Sequence, residues 1–198
     1  MPGPLRLCTK KVFQIDVGSL PTIDPRVALR YRFGDRQDLR ALAGHPDYGH
    51  DSLPYLEGRL TAGDRLVMGE QEGELVLTAW VMTGHMELGD LVIALPSDYA
   101  YNYKIYTVEK FRRQGATLGL WKFLRQTLPD HGIQHLMSTV IVDNTQSLHA
   151  HARAGFCPIG TFLELHLGDR SCYVLSGKLR RFLREITSGR PRLDSAPA

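Results

Sequence analysis

The order of hydrophobic and polar residues along the chain predicts alternating strands and helices. In the first half, strands are predicted over residues 27–33, 65–68, 74–83 and 101–108. The last of these, YNYKIYTV, alternates aromatic and polar groups and contains the β-branched residues that suit a pleated sheet. Short helices are predicted over residues 36–43 and 53–62, where Asp35 can cap the first and Gly63 ends the second. Residues 84–100 are predicted as a loop around a short apolar run.

The second half of the chain continues this alternation. Hydrophobic residues recur at helical spacing over residues 115–128, and Pro129 and Gly132 end that helix. The pattern then predicts a buried strand over 136–142, a helix over 144–154, two strands over 156–165 and 171–175, and a helix over 178–186. Strands and helices in this order predict a mixed α/β sheet flanked by helices.

Length and composition indicate one globular domain with two short extensions. The chain has 198 residues, of which 43% are hydrophobic and 23% charged, so it can form a packed core. Prolines at positions 2, 4, 21 and 25 predict an irregular N-terminal arm over residues 1–26. The main domain is predicted over residues 27–176, followed by a basic amphipathic helix and tail over 177–198.

Charge, hydropathy and cysteine usage indicate the cellular compartment and the classes of partner that the chain can bind. The net charge is +3, but residues 178–198 carry six Lys/Arg against two acidic residues, which leaves the rest close to neutral. A nearly neutral body argues against a nucleic-acid-binding protein. No apolar stretch reaches the roughly 18 residues of a membrane span, and the N-terminus lacks the apolar core of a signal peptide, so a cytoplasmic location is expected. The three cysteines lie far apart, without metal-site spacing, so no metal is expected.

The segment over residues 101–124 is the first candidate for chemistry, because a strand runs through a basic, glycine-containing turn into a helix. A helix N-terminus presents unpaired N–H groups and the positive end of the helix dipole, which together can hold a phosphate. The residues expected to cradle a phosphate are Gln114, Gly115, Ala116 and Thr117, with added charge from Arg112 and Arg113. Glycine lets the backbone approach the phosphates without a Cβ. The alternative is an ordinary basic turn that opens an amphipathic helix.

A second segment, VDNTQSLHAHARAGF over residues 142–156, completes a resemblance to the GNAT acyltransferase superfamily. The first segment, Phe111 to Thr117, is similar to the family's [RQ]-x-x-G-x-[GA] turn, although its last residue is threonine. The second segment has the family's N-x-x-[AS] and G-F elements. The resemblance spans residues 27–176. It implies a twisted mixed sheet, splayed between the strands at 101–108 and 136–142.

The resemblance also implies an activity: transfer of an acetyl (acyl) group from its coenzyme A thioester to an amine, by direct attack in a ternary complex. Backbone N–H groups of Thr107 and Val108 would hold the pantetheine and polarise the thioester, and Asn144 and Ser147 would help to seat the cofactor. His151 stands where the family usually has a tyrosine that protonates the departing thiolate, a role that an imidazole can also fill. The alternative is that His151 is a half-exposed helix residue with no catalytic role.

The acceptor side is less defined by the sequence. Glu87 and Glu109, together with His85, are the candidates for the general base. Trp80, Tyr101 and Tyr103 would line the acceptor pocket, or else belong to the sheet core. The acceptor is expected to be a small-molecule or peptide amine, and a homodimer is left open. Two other functions also remain open: transfer from a longer or carrier-protein-bound acyl donor, and a non-catalytic acyl-CoA-binding module.

Overall fold

The computed structural model describes residues 5–26, 28–45, 48, 51–167 and 170–188. Its ten strands are β1 (Leu5–Asp16), β2 (Arg30–Phe33), β3 (Arg65–Gln71), β4 (Glu74–Thr83), β5 (His85–Leu88), β6 (Leu91–Ala94), β7 (Tyr99–Thr107), β8 (His135–Ile141), β9 (Cys157–Leu167) and β10 (Arg170–Leu175). Its five α-helices are α1 (Arg36–Ala43), α2 (Leu53–Thr61), α3 (Ala116–Thr127), α4 (Thr145–Arg153) and α5 (Gly177–Thr187). The longest, α3, has 12 residues and is too short to cross a bilayer, and no other helix in these ranges qualifies.

Eight strands form one mixed sheet in the order β10-β9-β1-β8-β7-β4-β3-β2, and β5 and β6 form a separate hairpin. Every neighbouring pair in the large sheet is antiparallel except β7 and β8. The predicted mixed α/β sheet flanked by helices is therefore confirmed. The hairpin corrects the loop expected over residues 84–100; Gly89 in its turn has a positive φ of 63°, which glycine adopts without strain.

The two faces of the sheet carry different helices. Leu77, Ala79 and Val81 of β4 point into a core shared with α3 and α4, which we call the α3 face. The intervening residues of β4 point the other way, as strand alternation requires. There Trp80 packs beneath α1 and α2, and Met82 packs with α5 and the β5–β6 hairpin. We call this second side the α5 face.

Strands β7 and β8 separate part of the way along their length, which confirms the predicted splay. They pair in parallel from Tyr99 with His135 as far as Asn102 with Ser138. Beyond that point β7 continues to Thr107 alongside β4, and β8 continues to Ile141 alongside β1. The result is a gap in the middle of the sheet, with Asn102 and Ser138 at its apex.

The N-terminal region differs from the irregular arm that its prolines predict. From Leu5 to Asp16 the chain forms β1, which lies between β8 and β9 in the interior of the sheet. Val12, Phe13 and Ile15 are buried on its two faces, and Pro21 and Pro25 come after the strand. The sequence signal is weak because Lys10 and Lys11 interrupt the hydrophobic alternation. Residues 1–4 lie outside the described part of the chain.

The helix caps follow the sequence. Asp35 and Asp38 form a capping box at α1, and the Asn144 side chain caps α4.

The last helix packs on the sheet: Leu179 and Leu183 of α5 are buried against it. The predicted basic helix is thus present and docked, whereas the predicted tail from residue 189 onward lies outside the described residues.

Candidate functional site

The turn between β7 and α3 opens onto the gap between β7 and β8. It consists of a 3₁₀ turn over Glu109–Phe111, followed by Arg113 and Gly115 with positive φ angles of 64° and 86°. Helix α3 begins immediately afterwards at Ala116, with Gly115 as its N-cap. The first N–H groups of a helix have no partner within it, and they coincide with the positive end of its dipole. The turn therefore offers an anion-binding site at the end of the gap.

Gly115 is required here for a reason other than the one inferred from the sequence. A Cβ at this position would lie 3.3 Å from Cα of Pro25, in a left-handed conformation that side chains rarely adopt. The neighbouring Arg26 N–H donates to the carbonyl of Gln114 (3.1 Å), so the chain around Pro25 and Arg26, which precedes β2, packs directly on the turn. The glycine thus fixes the shape of the turn, and a valine there would strain the fold as well as the site.

Side chains hold the turn in place and leave its charge at the surface. Arg112 and Arg113 are exposed; Arg112 Nε donates to the carbonyl of Thr107 (3.2 Å). The first turn of α3 is anchored from β2 by the Tyr31 hydroxyl, which donates to the carbonyl of Ala116 (2.5 Å). Gly119 makes room for that contact, because a Cβ there would lie 2.5 Å from the Tyr31 oxygen.

The backbone of β7 corrects one part of the expected cofactor contact. The N–H of Val108 donates to the carbonyl of Val76 on β4 (2.9 Å), so it is not available to a ligand in the gap. Adjacent residues of a strand direct their backbone groups to opposite sides, so Thr107 presents its N–H to the open side. Nearer the apex, the register shifts between Thr78 and Trp80 of β4, and Lys104 has a φ of 47°. This bulge leaves an extra residue of β7 outside the ladder at the gap.

His151 is a core residue in the structure and not the half-exposed one considered from the sequence. It is 2% exposed and packs against the rings of Phe13, Trp121 and Phe156. Its Nδ1 lies 2.8 Å from the carbonyl of Ser147, and its Nε2 lies 3.1 Å from Oγ of Ser138 at the apex of the gap. Burial lowers the pKa of His151, and the hydrogen bond to the Ser147 carbonyl opposes this effect. A resting imidazolium that acts as a general acid, as the sequence suggested, does not fit this environment.

Asn144 and Ser147 take part in helix capping. The Asn144 side-chain oxygen accepts from the N–H of Ser147 (3.0 Å) at the start of α4. Ser147 in turn offers its carbonyl to His151. These residues connect the position of α4 to the polar group at the apex of the gap, and any contact with a cofactor stays a prediction.

A buried polar cluster on the α5 face was not predicted from the sequence. Arg59, at the end of α2, donates from Nε to the Tyr103 hydroxyl (2.9 Å) and lies 2.8 Å from the Asp64 carboxylate. The Tyr103 hydroxyl donates to Asp64 (2.6 Å), whose side chain is 3% exposed. Burial raises the pKa of Asp64, opposed by the Tyr103 hydrogen bond and the Arg59 charge. Arg59 also donates from Nη1 to Glu87 (2.6 Å).

The other sequence candidates fall into three positions. Glu87 lies within this cluster but is held by Arg59, whereas Glu109 is 81% exposed in the turn before α3. Tyr101 and Tyr103 stack on each other with ring centroids 5.7 Å apart, and the Tyr101 hydroxyl meets the Thr139 hydroxyl across the gap (2.7 Å). Trp80 is 1% exposed in the core under α1 and α2, so it does not line a pocket.

In the described residues, no group of three or more potential metal-ligating side chains occurs.

The chain is similar to known proteins both in sequence and in fold. A sequence profile described as the acetyltransferase (GNAT) family matches residues 35–156, more than half of the chain. That range contains both the turn before α3 and the whole of α4. No curated protein sequence matches the chain.

Solved structures with a similar fold include a functionally unknown conserved protein from Staphylococcus epidermidis, with a TM-score of 0.61 and 8% identity over 84% of this chain and 63% of that one. A GNAT-family acetyltransferase from Colwellia psychrerythraea has a TM-score of 0.59 and 14% identity, over 84% of this chain and 58% of its own. AAC(6')-Iy, in complex with the bisubstrate analogue CoA-S-monomethyl-acetylneamine, has a TM-score of 0.51 and 21% identity, over 66% of this chain and 91% of its own. The chain thus spans less than two thirds of the first two proteins, and at these identities the likeness shows the fold alone.

Proposed function

The chain belongs to the acetyltransferase (GNAT) family, and from that premise we propose that it transfers an acetyl group from acetyl-CoA to an amine by direct attack in a ternary complex. The observation that carries the proposal is the gap between β7 and β8, which ends at the N-terminus of α3. A helix N-terminus suits a pyrophosphate, and a gap lined by unpaired strand backbone suits the amide-containing pantetheine arm. AAC(6')-Iy, which has a similar fold, was solved with an analogue that contains CoA.

The residues of the turn would each contribute to cofactor binding. The N–H groups of Gln114, Gly115, Ala116 and Thr117 would hold the pyrophosphate, and the exposed Arg112 and Arg113 would add positive charge. Thr107 and the bulge at Lys104 would present backbone donors along the gap. Such donors also stabilise the negative charge that develops on a thioester oxygen during attack.

The acceptor amine would approach the apex of the gap from the α5 face. Tyr101 and Tyr103 lie on that face beside the polar cluster of Arg59, Asp64 and Glu87. Since Arg59 compensates both carboxylates, the cluster would hold the acceptor side rigid, and Glu87 remains a candidate to orient the amine. The α3 face would remain available to the cofactor.

Calorimetric titration with coenzyme A tests the cofactor part of this proposal. Arg112→Ala is expected to weaken binding about 10-fold or more, because a hydrogen bond to a charged group contributes roughly 1.5–3 kcal/mol. Arg184→Ala, which removes an exposed arginine from α5, is the matched control and should leave affinity unchanged. Equal affinity of wild type and the Arg112 variant would remove the turn from the binding site, and no binding by the folded wild type would refute the proposal.

A further inference from the structure

The polar group at the apex of the gap consists of a serine and a histidine in a defined hydrogen-bonding arrangement. The carbonyl of Ser147 can only accept, so the Nδ1 of His151, 2.8 Å away, must carry a hydrogen. In the neutral ring Nε2 is then an acceptor, and the Ser138 hydroxyl 3.1 Å away donates to it. The chain Ser138–His151–Ser147 thus has one direction of donation, with its proton-accepting nitrogen turned toward the gap.

This arrangement lies at the point where β7 and β8 part. Ser138 is the last residue of β8 to pair with β7, opposite Asn102. Asn102 is fully buried, and its side-chain oxygen has no hydrogen-bond partner among the described residues. An unpaired buried oxygen is costly, so Asn102, which pairs with Ser138 across the two strands, has unused capacity for a hydrogen-bond donor such as an amine N–H or a thiol.

We propose that Ser138 and His151 form a proton shuttle, in which Ser138 contacts the reacting groups and His151 acts through it. The proposal rests on the acetyl-transfer function above and assigns its missing base. As the neutral amine nitrogen bonds to the thioester carbon, its proton passes to Oγ of Ser138 while the Ser138 proton passes to Nε2 of His151. When the carbon–sulfur bond breaks and the electron pair stays on sulfur, the proton returns from Nε2 through Ser138 to the sulfur. The products are the amide and the free thiol, and the ring is neutral again.

The surroundings of His151 suit a group that gains a proton only transiently. The ring packs against Phe13 of β1, Trp121 of α3 and Phe156 before β9, and bonds to the two serines; among the described residues no charged side chain hydrogen-bonds or ion-pairs with it. The Ser147 carbonyl accepts from Nδ1 in both ring states and stabilises the transient imidazolium. Glu87 and Asp64 are already ion-paired with Arg59, which leaves them less suited to the same task.

The test uses Ser138→Ala, because a change at the buried His151 could disturb folding. Thiol release from acetyl-CoA is measured with an amine panel of a polyamine, an aminoglycoside, an amino sugar and an amino acid, using the most active amine for pH profiles. Wild-type kcat should have an acidic limb that lies below pH 6.5, the ordinary histidine value, because the shuttle needs a neutral ring and burial lowers the pKa of His151. Ser138→Ala should lower kcat about 100-fold, leave the KM for acetyl-CoA unchanged, and remove this acidic limb.

Ser171→Ala is the matched control, since it removes another serine–histidine hydrogen bond, to His166 (2.9 Å), between the edge strand and its neighbour. It should keep wild-type kcat and pH dependence. If Ser138→Ala turns over within about twofold of wild type, or is slower but keeps the acidic limb, the shuttle is overturned and the transfer function stands. If the wild type binds acetyl-CoA but releases no thiol with any amine, the transfer function and the shuttle both fail.

Discussion

Helix α5 provides a test of the packing that supports the proposed acceptor side of the site. Leu179 is fully buried, and its contact with β9 is so close that a Cβ on Gly160 would lie 2.6 Å from the Leu179 Cβ. Leu179→Ala would remove the atoms that join α5 to the core containing Met86 and Leu88 of the β5–β6 hairpin.

The expected loss of stability follows from this burial. Leucine-to-alanine changes at fully buried sites cost about 2–5 kcal/mol, and we expect about 3 kcal/mol because α5 lies at the periphery and can partly collapse. For a domain of this size, each kcal/mol lowers Tm by about 2–4 °C, so Tm should fall by about 6–12 °C. Urea denaturation and a thermal melt measure the two quantities. The exposed Arg184→Ala is the control and should stay within about 0.5 kcal/mol of wild type.

A functional effect should accompany the loss of stability. The hairpin carries Glu87, whose ion pair with Arg59 (2.6 Å) connects it to α2. Loosening α5 should therefore raise the KM for the amine more than the KM for acetyl-CoA. If Leu179→Ala melted within about 2 °C of wild type, α5 would not be docked as described, and this reasoning would be wrong.

Three further changes test other parts of the structure. The lowered pKa of His151 means that below about pH 6.5 the unfolded chain binds a proton that the folded chain does not, so the wild type should lose stability as the pH falls. His151→Leu should remove this loss, and urea titrations at pH 5.5 and 7.5 measure the difference. Tyr103→Phe removes the hydroxyl that donates to the buried Asp64 and should cost about 1–3 kcal/mol in the same titration at pH 7.5. Gly119→Ala should displace Tyr31 from the first turn of α3 and weaken coenzyme A binding about fivefold by calorimetry, which corresponds to about 1 kcal/mol for one lost hydrogen bond.

The helices on either side of the gap could be predicted because their signals are local. Asp35 and Asn144 cap their helices through neighbouring backbone groups, so each of these signals lies within a few residues of its effect. The splay between the two parallel strands was implied by the resemblance to the GNAT family, which those local motifs carry.

The parts that were missed depend on contacts between distant residues. Strand β1 owes its place to pairing with β8 and β9, more than a hundred residues away, and its lysines mask the pattern. Asp64 looks like part of a helix-ending turn and Arg59 like a solvated helix residue, and only the tertiary fold brings both to Tyr103. The burial of His151 likewise arises from rings on three other segments.

Acetyl transfer to an amine is the decisive measurement for the proposed function. Wild-type protein is incubated with acetyl-CoA and the amine panel, free thiol is followed over time, and the amine is identified by a mass increase of one acetyl group. We expect amine-dependent thiol release matched by acetylated amine, with release reduced in Arg112→Ala at subsaturating acetyl-CoA. A folded protein that binds coenzyme A yet yields neither free thiol nor acetylated amine would contradict the proposed function.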